Sequence, residues 1–251
     1  MDSTEVVLSD WINVVDLAGV LGNAVLGGIA ARAARLDIVG FIILAILSGL
    51  GGGIIRDTLL QRGTPVAFTD PLYLYMAILG AVVAFFISFT SRTSQRMLIL
   101  LDALAVGCWA AAGTQKALVA GLGWLPAIIL GMVTAIGGGM VRDVFLMKVP
   151  TVFGGNTLYA TSAFVASIEM VVLSSLGLPV IGSVVAILSG AALSLLARRF
   201  GWILPTEVRL PHPNAGVMTG WLSRWWSGAR RPGARPGQTK EEANGGDDRS
   251  E

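Results

Sequence analysis

Apolar residues fall along this chain in long runs separated by short polar stretches, and the runs are of the about 20 residues that a helix needs to cross a hydrocarbon core. The pattern predicts seven spans: Trp11–Ala33, Asp37–Leu60, Pro71–Thr90, Met97–Val119, Trp124–Met147, Thr157–Leu176 and Val180–Arg199. Breaker signals at Thr64-Pro65 with Asp70-Pro71, and at Gly177-Leu178-Pro179, mark two of the short connections. The opening MDSTEVVLSD is acidic and lacks the positive n-region of a signal peptide.

The spans are not independent. Gly51-Gly52-Gly53-Ile54-Ile55-Arg56-Asp57 returns as Gly137-Gly138-Gly139-Met140-Val141-Arg142-Asp143, a shift of 86 residues. The same shift pairs Asp16 with Asp102, Val20 with Val106, Ala24 with Ala110, Gly27 with Gly113 and Leu60 with Leu146. Each copy holds three spans, an odd number, so the second copy enters the membrane from the opposite side. The expected fold is an all-α membrane protein of seven transmembrane helices, a 3+3 inverted repeat plus one. The domains run as an extracytoplasmic segment at 1–10, repeats at 11–90 and 97–176, and a seventh helix at 180–200. A cytoplasmic interfacial segment and disordered tail follow at 201–251.

Charge placement sets the expected orientation. With the N-terminus outside, Arg32, Arg35, Arg92, Arg96, Lys148, Arg198 and Arg199 all lie on the cytoplasmic side, and Arg62 is the clear outer loop cation. The stretch 216–231 interleaves Trp221, Trp225 and Trp226 with Arg224, Arg230 and Arg231, which suits a segment lying on the inner leaflet of the cell's inner membrane. Lipid headgroups are the expected anion there, and nucleic acid is not an expected partner.

Composition then narrows the function classes. The 251 residues are 54% hydrophobic and only 14% charged, and mean hydropathy is +0.71, so an ordinary soluble enzyme is excluded. Cys108 is the sole cysteine and His212 the sole histidine, which leaves no material for a Cys/His catalytic pair or a His-rich metal centre. No Walker lysine follows the glycines, so they are not a phosphate loop. The chain is expected to be no enzyme and to need no cofactor or metal, with bound lipid allowed.

Three glycines in a row cost a helix about 1 kcal/mol each relative to alanine. Freed backbone groups in hydrocarbon are tolerated only inside protein or beside a watery cavity. The second and fifth spans are therefore expected to break or kink at Gly51–Gly53 and Gly137–Gly139, and inversion brings the breaks together, where substrate or ion sites usually form. The alternative is that the glycines only let helices pack closely. Asp57 and Asp143 are candidates for cation contact, while Arg56 and Arg142 are candidates for structural pairs that cap the broken helix or hold an aspartate. Asp16 and Asp102 lie near opposite ends of their spans, either concentrating cations at two mouths or reaching the interface as helix-end charges. Lys116 has three readings: a partner for Asp57 or Asp16, a tethered charge limiting conduction, or a snorkelling cation. Ser48 and Thr134 are candidate pore hydroxyls, and Glu169 has no repeat equivalent and no assigned role.

The duplicated GGGxxRD pattern within 3+3+1 spans resembles the trimeric intracellular cation (TRIC) channel family in its prokaryotic branch. The resemblance covers about Trp11 to Arg199, and relatives with the same repeated domain are labelled glycine transporters. It implies a homotrimer with one pore per protomer, lined by the first, second, fourth and fifth spans and kinked at Gly51–Gly53 and Gly137–Gly139. The permeant ion would be a monovalent cation, K+ favoured over Na+. Animal members carry a Lys-Glu-Val motif in the fourth span; here Lys116 is followed by Ala117 and Leu118. A carrier for glycine or another small zwitterion is the alternative function, with half-helix ends binding the carboxylate and ammonium. A third is a scaffold in which the glycines only pack helices.

Overall fold

The computed structural model describes residues 3–87, 91–153 and 158–202. Eight helices follow in order: α1 (Ser3–Ala33), α2 (Ile38–Leu60), α3 (Val66–Thr69), α4 (Pro71–Phe86), α5 (Arg92–Val119), α6 (Trp124–Phe145), α7 (Tyr159–Ser175) and α8 (Pro179–Phe200). Seven correspond to the seven apolar runs. The eighth, α3, is a single turn between Pro65 and Asp70, where the sequence suggested only a connection. The interfacial stretch at 216–231 and the tail lie outside the described residues.

Local chemistry fixes the ends. Asp37 accepts from Gly40 N at the start of α2, Asp70 from Leu72 N at the start of α4, and Ser91 from Ser94 N at the start of α5. The Ser91 cap starts α5 five residues ahead of the expected Met97, at Arg92. Proline opens α4 and α8, where its missing N–H costs nothing. Gly201 closes α8 in the left-handed conformation at φ 66°. Arg32, from the last turn of α1, donates to the carbonyls of Ala84 (2.6 Å) and Ile87 (3.0 Å), satisfying acceptors that the end of α4 leaves open.

Among the described residues, five helices are long and apolar enough to cross a membrane: α1 over Asp10–Ala33, α2, α5, α6 and α8. The other two, α4 and α7, have 16 and 17 residues. At 1.5 Å per residue they span about 24–26 Å, slightly less than the hydrocarbon thickness. Packing repeats itself along the chain. Helix α1 packs on α2 and α4 as α5 packs on α6 and α7, α2 packs on α6 across the centre, and α8 lies against α5 and α7. The core is built from small residues such as Ala24, Ala77, Ala110 and Ala166, with Val106, Met170 and Trp109 among them. Small side chains let membrane helices approach closely, and van der Waals contact then holds them.

The expected discontinuity of the second and fifth spans is corrected here. Helices α2 and α6 run unbroken through both glycine triplets. The reason is the closeness of their crossing. A Cβ on Gly52 would lie 2.3 Å from the carbonyl oxygen of Thr134, and one on Gly138 would lie 2.4 Å from that of Ser48. Backbone meets backbone at this crossing, so no side chain fits at the middle glycines Gly52 and Gly138, and the contact offsets the poor helix propensity of the triplets.

Candidate functional site

Two clusters of charged and phenolic side chains lie on either side of the crossing, and the 86-residue shift relates their members. The first is built around Asp16, which is 1% exposed. Its carboxylate accepts from Arg56 Nη1 at 3.1 Å, Tyr73 Oη at 3.0 Å and Lys116 Nζ at 2.6 Å. Arg56, wholly buried, also donates from Nε to Asp57 Oδ1 at 2.7 Å. Asp57 Oδ2 accepts from the backbone N–H of Val66 in α3 at 3.0 Å, which ties that turn to α2. Lys116 Nζ also stands 5.7 Å from the centre of the Tyr73 ring. Two carboxylates face two cations. The buried charge is balanced, and each member holds another in place.

The second cluster repeats four of these positions as Asp102, Arg142, Asp143 and Tyr159. Arg142 Nε donates to Asp143 Oδ1 at 3.0 Å, and Asp143 Oδ2 accepts from Thr151 N at 3.0 Å and Thr151 Oγ1 at 3.1 Å. In the first cluster the position equivalent to Thr151 is Pro65, which has no N–H, so the corresponding bond moves on by one residue to Val66. Tyr159 Oη donates to Asp102 Oδ1 at 3.3 Å, as Tyr73 does to Asp16. The arginine differs: Arg142 serves Asp143, and Arg198 of α8 pairs with Asp102 instead. The result is a cavity of about 210 Å³ whose wall includes Gly139, Asp102, Arg142, Asp143, Tyr159 and Arg198.

The sequence-derived candidates are thus placed as follows. Asp16, Arg56, Asp57 and Lys116 come together in the first cluster, with Lys116 turned to Asp16 rather than outward. Asp102, Arg142, Asp143 and Gly139 border the cavity. Gly52, Gly138 and the backbone of Ser48 and Thr134 form the crossing. Gly51 faces Val141, and a Cβ on Gly137 would lie 3.0 Å from the Cα of Gly52, while one on Gly53 would meet only the Arg56 side chain at 3.6 Å. The Thr134 hydroxyl donates to Leu130 O at 2.6 Å within its own helix, and Ser48 Oγ is buried without a partner. Glu169 stands apart on α7, accepting from Ser189 Oγ of α8. Among the described residues no group of three or more His, Cys, Asp or Glu side chains is placed to hold a metal ion.

Four contributors were missed from sequence. Tyr73 and Tyr159 are 86 residues apart, and the repeat alone would have found them. Arg198 was read only as a marker of orientation, since it lies outside the repeat. Trp109, at the centre of the crossing, replaces the Asn23 of the first copy, so a search for matches passes over it.

Comparison with known proteins agrees with this geometry. The sequence model of the glycine transporter family matches twice, at residues 13–88 and 99–175. A UPF0126 membrane protein of Deinococcus radiodurans is 35% identical over 161 residues, which is 64% of this chain and 75% of that one. Among solved structures, one described as the structural basis for conductance through TRIC cation channels is similar with a TM-score of 0.70 and 28% identity, covering 79% of this chain and 98% of that chain. The TRIC orthologue from Rhodobacter sphaeroides gives a TM-score of 0.66 at 32% identity, over 76% and 96% of the two chains. Duplicated domain, helix order and likeness to both groups lead to one conclusion: the chain belongs to the glycine transporter family of membrane proteins, within the wider TRIC channel group.

Proposed function

We propose that this protein is a channel for monovalent cations, K+ favoured, with one pathway per protomer at the junction of α1, α2, α5 and α6. The observation that carries this reading is the pair of matched charge clusters flanking the α2–α6 crossing, in a chain whose fold is that of TRIC channels. The two halves are inverted copies, so the clusters belong to opposite mouths. Under this reading the arrangement described is a shut form, supported by the two cations that seal Asp16 while Asp102 borders a cavity. In the conducting form α2 and α6 bend or part at their triplets, the segments with least helix propensity. The assembly is a homotrimer in the inner membrane with its N-terminus outside, an orientation supported by the cations collected at one side. Reconstituted protein should pass K+ under a voltage or concentration gradient. Absence of K+ current or flux at every voltage would overturn the reading.

A second reading is favoured by one specific feature. The cavity at Asp102 presents guanidinium and carboxylate groups together, a pairing that complements a small zwitterion, and the matching family model is described as a glycine transporter. Under this reading the protein is a carrier, and glycine uptake is saturable and needs a coupling ion, without unitary currents.

A further inference from the structure

We propose that Trp109 is the plug of the pathway, seated in a socket made by glycines of three different helices. This inference rests on the junction of α1, α2, α5 and α6 being the route of transport. The indole is wholly buried, with Nε1 3.4 Å from the carbonyl oxygen of Asp16. The positions a Cβ would take on Gly19 of α1, Gly52 of α2 and Gly138 of α6 lie 2.1, 3.0 and 2.7 Å from the ring. A side chain at Gly19 or Gly138 would collide with the indole and one at Gly52 would press tightly on it, so the socket and its occupant are matched. Socket glycines Gly52 and Gly138 are the middle members of the two triplets, so their absent side chains make room for Trp109 as well as for the helix crossing.

Position strengthens the argument. Trp109 is seven residues after Asp102 and seven before Lys116 on α5. At 1.5 Å per residue, it stands about 10 Å along the helix from each charge cluster, midway between them. The cavity on the Asp102 side is walled by Gly139, the chain neighbour of the Gly138 whose missing side chain leaves room for the ring, so the cavity reaches to within one residue of the socket. On the other side the Asp16 backbone receives the ring N–H. An apolar ring filling the middle of a route between two charged sites is a dewetted barrier to ions.

The repeat shows what the plug has displaced. At the equivalent position the first copy carries Asn23, one turn beyond Gly19 on α1. Its Nδ2 is buried without a hydrogen-bond partner, and so is Ser48 Oγ at the crossing. Buried polar groups left unpaired in a close-packed bundle suit a passage whose polar lining is used only when the route opens. One half of the molecule thus supplies polar lining, and the other supplies the stopper.

The test is flux of K+ and of the bulkier cation choline in proteoliposomes containing full-length wild type, Trp109→Ala and Trp109→Phe. Removing the plug should raise K+ flux by at least about tenfold and admit choline, with Phe intermediate. Wild type that passes K+, with Trp109→Ala and Trp109→Phe unchanged or slower, overturns the plug and leaves the channel intact. Wild type that passes nothing, with Trp109→Ala leaking both cations, overturns the resting channel and keeps the plug. Silence in all three overturns both. If Trp109→Ala is not recovered as folded protein, Trp109→Phe decides in the same way, because it keeps a buried ring of smaller size.

Discussion

The Asp16 and Asp102 clusters are built from the same residues at four matched positions, yet they have reached different ends. In the first, Arg56 bridges both aspartates and Lys116 arrives from the other half of the chain, so side chains that are 0% and 1% exposed neutralise one another. In the second, Arg142 holds only Asp143, and α8 supplies Arg198, whose side chain is 31% exposed. The position equivalent to Lys116 in the first copy is Ala30, so Asp102 has no lysine to turn to. A helix outside the repeat therefore breaks the symmetry. One cluster is closed in this structure, and the other borders a cavity.

The sharpest way to break this comparison is to remove the two arginines. Arg56→Met leaves two buried carboxylates with Lys116 alone and should cost about 3–5 kcal/mol of stability, as when one partner of a buried pair is lost. Arg142→Met should cost about 1–2 kcal/mol, because its site is wetter and Asp143 keeps both Thr151 donors. Thermal unfolding in detergent reads the difference. Equal losses would mean that the clusters do not differ in the way their geometry indicates.

Next in size are the glycines of the crossing. Gly52→Ala and Gly138→Ala each drive a methyl into a carbonyl oxygen of the opposite helix and into Trp109, and each should cost about 1–3 kcal/mol. Gly51→Ala meets only the Val141 side chain at 3.2 Å and should cost less. The same melting assay checks the order. A Gly51→Ala variant as damaged as the other two would point to helix breaking rather than close approach as the role of the triplet.

How much of this was legible beforehand follows the repeat. Asp16, Arg56 and Asp57, with Asp102, Arg142 and Asp143, could be named from sequence because identity survives at those positions in both copies. A pairing of Lys116 with Asp16 was one of the alternatives the sequence left open, and the choice among them, with the contact of Arg56 to Asp16, depends on how α1, α2 and α5 pack. Continuity of α2 and α6 was misjudged for a related reason: propensity argues for a break, but the gain from backbone-to-backbone packing exists only once α2 and α6 face each other. Trp109 and Arg198 were hidden by their asymmetry. A duplication advertises what its copies share, whereas Trp109 stands in one copy alone and Arg198 in neither.

The aspartates themselves offer a smaller, salt-dependent contrast. Asp102→Asn should lower K+ flux several-fold at about 0.01 M salt, where the Debye length is about 30 Å, and have little effect at about 1 M, where it is about 3 Å. Asp16→Asn should instead act through stability, since its charge is already spent on Arg56 and Lys116, and any loss of flux should be the same at both salts. Flux measured across the two ionic strengths separates them. A salt-dependent loss for Asp16→Asn and none for Asp102→Asn would reverse the assignment of closed and open clusters.

The smallest expected effect concerns the loops that hold Asp57 and Asp143. Thr151→Val keeps the backbone N–H to Asp143 Oδ2 and removes only the hydroxyl bond at 3.1 Å, a loss of about 0.5–1.5 kcal/mol in melting experiments. Thr151→Pro copies Pro65 of the first cluster and removes both donors. In the first cluster the next residue, Val66, makes the bond after its proline. If Val152 can take the same part, Thr151→Pro will melt within about 1 kcal/mol of Thr151→Val, the worth of one ordinary hydrogen bond. A much larger loss would show that the second loop cannot adopt the conformation of the first. Loop geometry, as well as the cation from α8, would then keep the Asp102 cluster open.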